Sequence, residues 1–216
     1  MDTKLAEIIK ERKLVAILRG IRPDAVVDVV NALEAGGISL VEIPFDQRER
    51  IPAVETAKAI SEVCEQCPNV IAGAGTVMTG KQLSLAIAAG ARFILSPDVN
   101  AAVIQKTKIA GLISIPGAIT PSECAAAWRA GADFIKLFPA GALGCGYFRS
   151  IAAPLSHIPF LCVGGICETN LPEFLAAGAA GFGIGGELIC AGEAEEYRWD
   201  AITRRATEFV RLIAQT

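Results

Sequence analysis

The chain has 216 residues, 52% hydrophobic and 20% charged, which is enough apolar material for one large core and too much for a disordered chain. A formal net charge of -3 argues against a nucleic-acid partner, which would call for a basic face, but leaves room for a small anionic ligand held by backbone amides. No apolar run reaches the about 18 residues of a membrane span, and the charged amphipathic start MDTKLAEIIKERKL has no signal-peptide core, so a cytoplasmic location without membrane contact is expected.

After that N-terminal helix, short apolar runs alternate with segments of helical spacing. LVAIL (14–18) precedes a helix over 23–36, opened by Arg22-Pro23-Asp24, and SLVEI (39–43) precedes one over 51–65. VIAGA (70–74) leads to 79–90, FILS (93–96) to 99–110 and LISI (112–115) to 120–130. FIKLF (134–138) leads to 146–154, FLCVG (160–164) to 169–178 and GFGIG (181–185) to 197–214. Runs this apolar suit parallel strands covered on both faces. Eight such units predict a single (β/α)8 TIM barrel with an extra N-terminal helix, one domain over 1–216. Small-residue stops such as Ala89-Gly90 and Ala130-Gly131 end the helices, and Thr120-Pro121-Ser122-Glu123 has the makings of a capping box. The competing fold is an open doubly wound sheet; the strand count is high for it, and no dinucleotide fingerprint follows the first strand. The apolar tail over 201–214 suits packing on the barrel or on a neighbouring chain equally well.

Seven cysteines in a cytoplasmic chain read as reduced core residues. Cys64 and Cys67 form a lone CxxC, and the single histidine, His157, lies far away in a loop-like stretch, so neither a metal site nor a redox motif is expected.

Barrel active sites lie at the C-terminal ends of the strands. There the sequence places Arg19, Glu42, Gly73-Ala74-Gly75-Thr76, Ser96-Pro97, Pro116-Gly117, Lys136, Gly164-Gly165 and Gly185-Gly186. Lys136 stands between apolar neighbours, with Phe134 and Phe138 on its side of the strand. Burial lowers a lysine pKa and frees a nucleophilic amine that forms Schiff bases; the alternative is a lysine that snorkels to solvent or pairs with an acid. Glu42 is a second charge in an apolar strand, either a proton-transfer partner or half of a plain ion pair with Lys136 or Arg19. The glycine pairs after strands seven and eight suit an anion site, or tight turns alone. GAGT is no dinucleotide motif, because Met78 stands where a third glycine would be.

LVAILRGI, VEIPF, AGAGTVM, SPDVN, IPGAITPSE, FIKLFPA and VGGI follow in order along nearly the whole chain. Together they resemble the 2-keto-3-deoxy-6-phosphogluconate and 4-hydroxy-2-oxoglutarate aldolase family. AILRGI, VEIP and the GGI-to-GELICAG tail are similar to its 2-keto-3-deoxy-6-phosphogalactonate branch. The resemblance implies a class I aldolase without metal or cofactor, a homotrimer, acting on a 2-keto-3-deoxy sugar acid. It implies Lys136 as the Schiff-base lysine, Glu42 as general acid/base, Thr76 and Pro97 as pocket lining and Arg19 near the substrate carboxylate. Phe138 would help keep the site dry, and Gly164, Gly165, Gly185 and Gly186 would hold the phosphate. The implied reaction releases pyruvate and D-glyceraldehyde 3-phosphate from 2-dehydro-3-deoxy-6-phosphogalactonate.

Two positions depart from the pattern. Asp46 stands where the phosphogluconate branch has arginine and the galactonate branch asparagine, and Gly186 stands where a serine hydroxyl commonly faces the phosphate. The missing arginine argues against the phosphogluconate branch and the missing serine weakens the phosphate site, so unphosphorylated acids such as 4-hydroxy-2-oxoglutarate, or else phosphogluconate-type acids, are the alternative substrates. A sugar-phosphate isomerase or epimerase, or a non-catalytic sugar-acid-binding barrel, are the rival readings.

Overall fold

The computed structural model describes residues 3–190, 192–193, 196 and 198–215. Helix α1 (Thr3–Arg12) ends at Lys13, which takes the left-handed φ of 58°, and the chain turns directly into β1 (Leu14–Ile17). Leu14, which the N-terminal helical stretch and the apolar run LVAIL share in the sequence, opens the first strand as that run predicts; Met1 and Asp2 lie outside the described residues.

The β/α units then follow: α2 (Val26–Ala35), β2 (Leu40–Pro44), α3 (Ala53–Gln66), β3 (Ile71–Gly75), α4 (Gly80–Ala88), β4 (Phe93–Leu95) and α5 (Ala101–Ile109). The second half comprises β5 (Ile113–Ile115), β6 (Gly117–Ala118), α6 (Pro121–Arg129), β7 (Ile135–Leu137), α7 (Ala140–Ala152), β8 (Phe160–Val163), α8 (Leu171–Ala176), β9 (Gly181–Ile184) and α9 (Trp199–Ala214). All pairings are parallel, in the order β5-β4-β3-β2-β1-β9-β8-β7-β6. The two ends of that order are halves of one strand, interrupted at Pro116, which has no N–H for the ladder. The Ser114 carbonyl accepts from the Asp133 N–H at 2.9 Å and the Pro116 carbonyl from the Lys136 N–H at 2.9 Å, so the sheet closes on itself. The result is a TIM-like α/β barrel whose fifth strand is broken once.

Thr120 and Glu123 form the expected capping box, the Glu123 carboxylate accepting from the Thr120 N–H at 2.8 Å. Thr79 and Gln82 form another at the start of α4. Arg22-Pro23-Asp24 departs from expectation: Pro23–Ala25 is a 3-10 turn, and Arg22 makes no side-chain cap but pairs with Asp24 at 3.1 Å. Helix α7 begins six residues before the predicted 146, because the glycine-rich AGALGCG masks its helical pattern. Gly144, at φ 79° and ψ 159°, breaks it. Helix α9 begins at Trp199, and Tyr197, the expected start, lies outside the described residues. The tail helix packs on its own barrel: Thr203 donates to the Ala32 carbonyl at 2.9 Å, and a Cβ on Gly36 would lie 2.4 Å from that of Ala206.

Apolar side chains fill two layers. One lies between strands and helices, and the other fills the barrel interior with Val15, Leu40, Phe93, Leu95, Ile113, Phe134 and Leu161. Leu5 and Ile9 of α1 join the interior layer and plug the N-terminal end. Gly73 makes room there, since a Cβ on it would lie 2.2 Å from the Phe93 ring. Phe93 is fully buried, so Phe93→Ala should lower stability by about 3–5 kcal/mol in urea unfolding monitored by circular dichroism; a loss below 1 kcal/mol would show that the interior collapses around the gap.

Candidate active site

With α1 closing the N-terminal end, the polar interior residues collect at the opposite one. On β2 the two-residue alternation turns Leu40 and Glu42 inward together, and on β7 it brings Phe134, Lys136 and Phe138 to one side. Glu42 is fully buried and Lys136 is 3% exposed. Both Glu42 oxygens are buried without a hydrogen-bond partner among the described residues. Space for that carboxylate comes from Gly75 on the neighbouring strand, where a Cβ would lie 1.6 Å from Oε1.

This burial governs the ionisation of the pair. Desolvation pushes the Glu42 carboxyl up from its ordinary range, against the opposing fields of Lys136 and Arg19. Desolvation likewise holds the Lys136 ammonium below its usual value; the Glu42 carboxylate opposes that shift and Arg19 adds to it. The Phe138 ring, its centroid 5.1 Å from Lys136 Nζ, covers the amine with an apolar face. The arrangement therefore offers a lysine nitrogen that loses its proton easily beside a carboxyl that keeps one easily.

Above them opens a cavity of about 360 Å³, lined by Lys136, Phe138, Arg19, Thr76 and Pro97 among others. A second cavity of about 190 Å³ shares Arg19 and Phe138 and is lined by Gly164, Gly165, Gly185, Gly186 and Glu187. Gly164 has φ 84°, and a Cβ on it would press to 2.8 Å from the Phe138 ring, so the glycine sets how closely the two loops approach. Glu42 lies beneath the floor of the main cavity and does not line it.

Four features of the site were not read from the sequence. Thr76 has φ 54°, an unfavourable conformation for a β-branched residue that costs about 1–3 kcal/mol and clusters at functional sites. The Gln47 side-chain amide donates to the Thr76 carbonyl at 2.9 Å and ties the loop after β2 to it. In that loop Asp46 accepts from the Arg50 Nε at 2.8 Å and from the Arg48 and Arg50 backbone amides at 3.1 and 3.2 Å, while Arg48 and Arg50 line the main cavity. These contacts, the Arg50 guanidinium foremost, pull the Asp46 carboxyl down to about 2. The loop after β9 is fastened by α9: Arg205 donates through Nε to the Leu188 carbonyl at 2.9 Å and through Nη2 to Glu193, which also accepts from the Cys190 amide at 2.9 Å. A run such as Asp-Gln-Arg-Glu-Arg reads as ordinary loop composition, and nothing in its spacing signals a side chain turned towards a strand end.

Elsewhere, Cys64 and Cys67 are free thiols at the end of α3, and exposed His157 packs edge-on against Trp128 with ring centroids 5.8 Å apart. Among the described residues no three His, Cys, Asp or Glu side chains group as metal ligands, and no helix is long and apolar enough to cross a membrane.

The family model of the KDPG and KHG aldolases matches residues 5–205. The chain belongs to that family. It is 37% identical over 183 residues to a probable 2-dehydro-3-deoxy-6-phosphogalactonate aldolase of Rhizobium meliloti, covering 84% of each chain. It is 35% identical to the 2-dehydro-3-deoxy-6-phosphogalactonate aldolase of Escherichia coli, over 85% of this chain and 87% of that one. Among solved structures, a native KDPGal structure superposes with a TM-score of 0.83 at 32% identity over 94% of both chains. The KDPG aldolase of Legionella pneumophila, with pyruvate captured as a covalent carbinolamine intermediate, superposes with a TM-score of 0.84 at 26% identity, over 94% of this chain and 96% of that one.

In this KDPG and KHG aldolase fold, the position of the buried acid depends on the glycine beside it. Gly75→Ala should displace the Glu42 carboxylate and lower turnover at least tenfold while circular dichroism shows the barrel intact; wild-type turnover would mean that the carboxylate shifts without consequence.

Proposed function

We propose that the protein is a class I aldolase that cleaves a 2-keto-3-deoxy-6-phospho sugar acid, 2-dehydro-3-deoxy-6-phosphogalactonate foremost, to pyruvate and D-glyceraldehyde 3-phosphate. One observation carries the reading: in a chain of this family, a lysine held dry at the cavity floor stands within the field of a buried, unpartnered carboxyl. The relative that holds pyruvate as a covalent carbinolamine supports the same covalent step, and the phosphogalactonate aldolases among the relatives support the choice of substrate.

In this mechanism the neutral Lys136 amine attacks the C2 ketone, and loss of water leaves an iminium ion. Glu42, directly or through water, takes the C4 hydroxyl proton as the C3–C4 bond breaks. The bonding electrons pass into the iminium to give an enamine, and the aldehyde leaves. Protonation at C3 and hydrolysis release pyruvate and restore the lysine. Arg19 holds the substrate carboxylate, Thr76 and Pro97 line its path, and Phe138 keeps the imine dry. The phosphate lies against the amides of Gly164, Gly165, Gly185 and Gly186. The working form is a cytoplasmic homotrimer of one barrel domain, the trimer inherited from the family; light scattering after size exclusion reads it as three chain masses.

A lactate-dehydrogenase-coupled assay on the phosphogalactonate and phosphogluconate ketodeoxy acids, each with and without phosphate, tests substrate and reaction together. Pyruvate should form fastest from the phosphogalactonate compound; none from any of the four removes the aldolase reading. Borohydride should trap pyruvate on the wild type and not on Lys136→Ala, and equal trapping on both would exclude Lys136 as the nucleophile.

The pH dependence has a definite sign. Attack needs the neutral amine, so trapping should rise with pH and reach half its maximum below 10.5, the ordinary lysine value from which burial lowers Lys136. The Glu42 charge raises the Lys136 pKa, so Glu42→Gln should move that midpoint to lower pH while slowing cleavage. A midpoint moved upward would mean that the two groups do not share a field.

A further inference from the structure

At the end of β3 the alternation of the strand is inverted. Ala72 and Ala74 pack towards the helices, and Gly73 and Gly75 face the Phe93 ring and the Glu42 carboxylate inside the barrel. An extended continuation would therefore send Thr76 outward and Val77 inward. The reverse is found: Val77 is buried in the outer layer with Ala72 and Ala74, and Thr76 lines the main cavity with Lys136. The inversion occurs at Thr76 itself, through its left-handed φ of 54°. A β-branched residue stays in that region only where its surroundings hold it there. Backbone bonds fasten the residues on either side: the Gly75 carbonyl accepts from the Phe45 N–H at 2.9 Å, and the Val77 N–H donates to the Leu95 carbonyl at 3.1 Å. The Thr76 carbonyl between them is held by a side chain, the Gln47 amide, at 2.9 Å. Gln47 reaches it from a fixed turn, since the Asp46 carboxylate accepts from the Arg48 and Arg50 backbone amides at 3.1 and 3.2 Å. The Thr76 hydroxyl has no hydrogen-bond partner among the described residues, so it is left to a ligand in the cavity.

We propose that Gln47 is a positioning residue: by holding the Thr76 carbonyl it keeps Thr76 in the left-handed region and so presents the Thr76 hydroxyl to the carboxylate end of a 2-keto acid bound at Lys136. The inference rests on the aldolase reading for that ligand and deepens it. Gln47 touches no reacting atom and acts through Thr76 alone. The pyruvyl end is common to every substrate considered, so the effect is the same whatever stands at the distal end, and the phosphate keeps its place on the glycine loops.

Two readouts on wild type, Gln47→Ala, Gln47→Met, Thr76→Ala and the Gln47→Ala, Thr76→Ala double variant test this. One is borohydride trapping over a range of pyruvate concentrations, and the other is steady-state kinetics on 2-keto-3-deoxy-6-phosphogalactonate and on the same acid without phosphate. Gln47→Ala should raise the pyruvate half-saturation about fivefold, the scale of one lost hydrogen bond, and keep the trapping yield at saturation. KM should rise by the same factor on both sugar acids; a rise on the phosphorylated acid alone, or no change in either readout, overturns the proposal. Gln47→Met has the length of glutamine without its N–H, so it should match Gln47→Ala; wild-type values for it would mean that the side chain only fills space, which also overturns the proposal. In the double variant the loss should equal that of Thr76→Ala alone, whereas losses that multiply would show Gln47 acting by another route. A crystal structure of Gln47→Ala reads the positioning without turnover, so it stands apart from any failure of the aldolase reading. Thr76 outside the left-handed region there supports the proposal, and φ retained near 54° overturns it.

Discussion

The removal of one lysine and one glutamate from water, at the open end of an otherwise apolar barrel, is the constraint on which the rest depends. Ionised carboxylates and ammonium groups each lose several kcal/mol on such transfer, and a lone pair of them seldom repays it by mutual attraction. The surrounding structure bears that cost. Leu5 and Ile9 seal the far end, Phe93, Phe134 and Leu161 fill the layers beneath, and the closed sheet leaves no edge for water to enter. What remains is a pair of groups whose charged forms are both disfavoured, which is the condition for moving protons and forming an imine near neutral pH.

Glycine is the other half of that design. On β3 the side chains that would point inward are missing at Gly73 and Gly75, and the space goes to the Phe93 ring and the Glu42 carboxylate. The buried acid and the core aromatic are thus placed by what the neighbouring strand lacks. On the opposite wall Gly164 lets Phe138 come close enough to cover Lys136. A methyl group added at Gly73, Gly75 or Gly164 would therefore displace the Phe93 ring, the Glu42 carboxylate or the Phe138 ring.

Around this rigid floor the loops carry the charge. The loop after β2 holds Arg50 through Asp46 and grips Thr76 through Gln47. The loop after β9 is pinned from outside by Arg205 and Glu193. Both devices act on loops beyond the strand ends, where a barrel of common architecture can vary its specificity without disturbing its strands.

Much of this was legible in the sequence because it is periodic or local. Eight apolar runs spaced by helical segments carry the barrel, Thr120 and Glu123 announce a helix start, and Lys136 and Glu42 stand out because charges are rare inside apolar strands. Motif order along the chain pointed to the family. Other features needed the folded chain, because they depend on contacts between residues far apart in sequence. Pro116 divides a strand yet leaves the barrel closed, since β4 and β7 pair with its two halves. The tail helix lies on α2 because Gly36 admits Ala206, a fit invisible in either segment alone. Asp46, a departure from the pattern in one dimension, becomes the anchor of Arg50 in three. Sequence by itself determined which residues had to be buried; only the tertiary structure decided which of them met, because a side chain's neighbours are set by the closure of the sheet and not by the order of the chain.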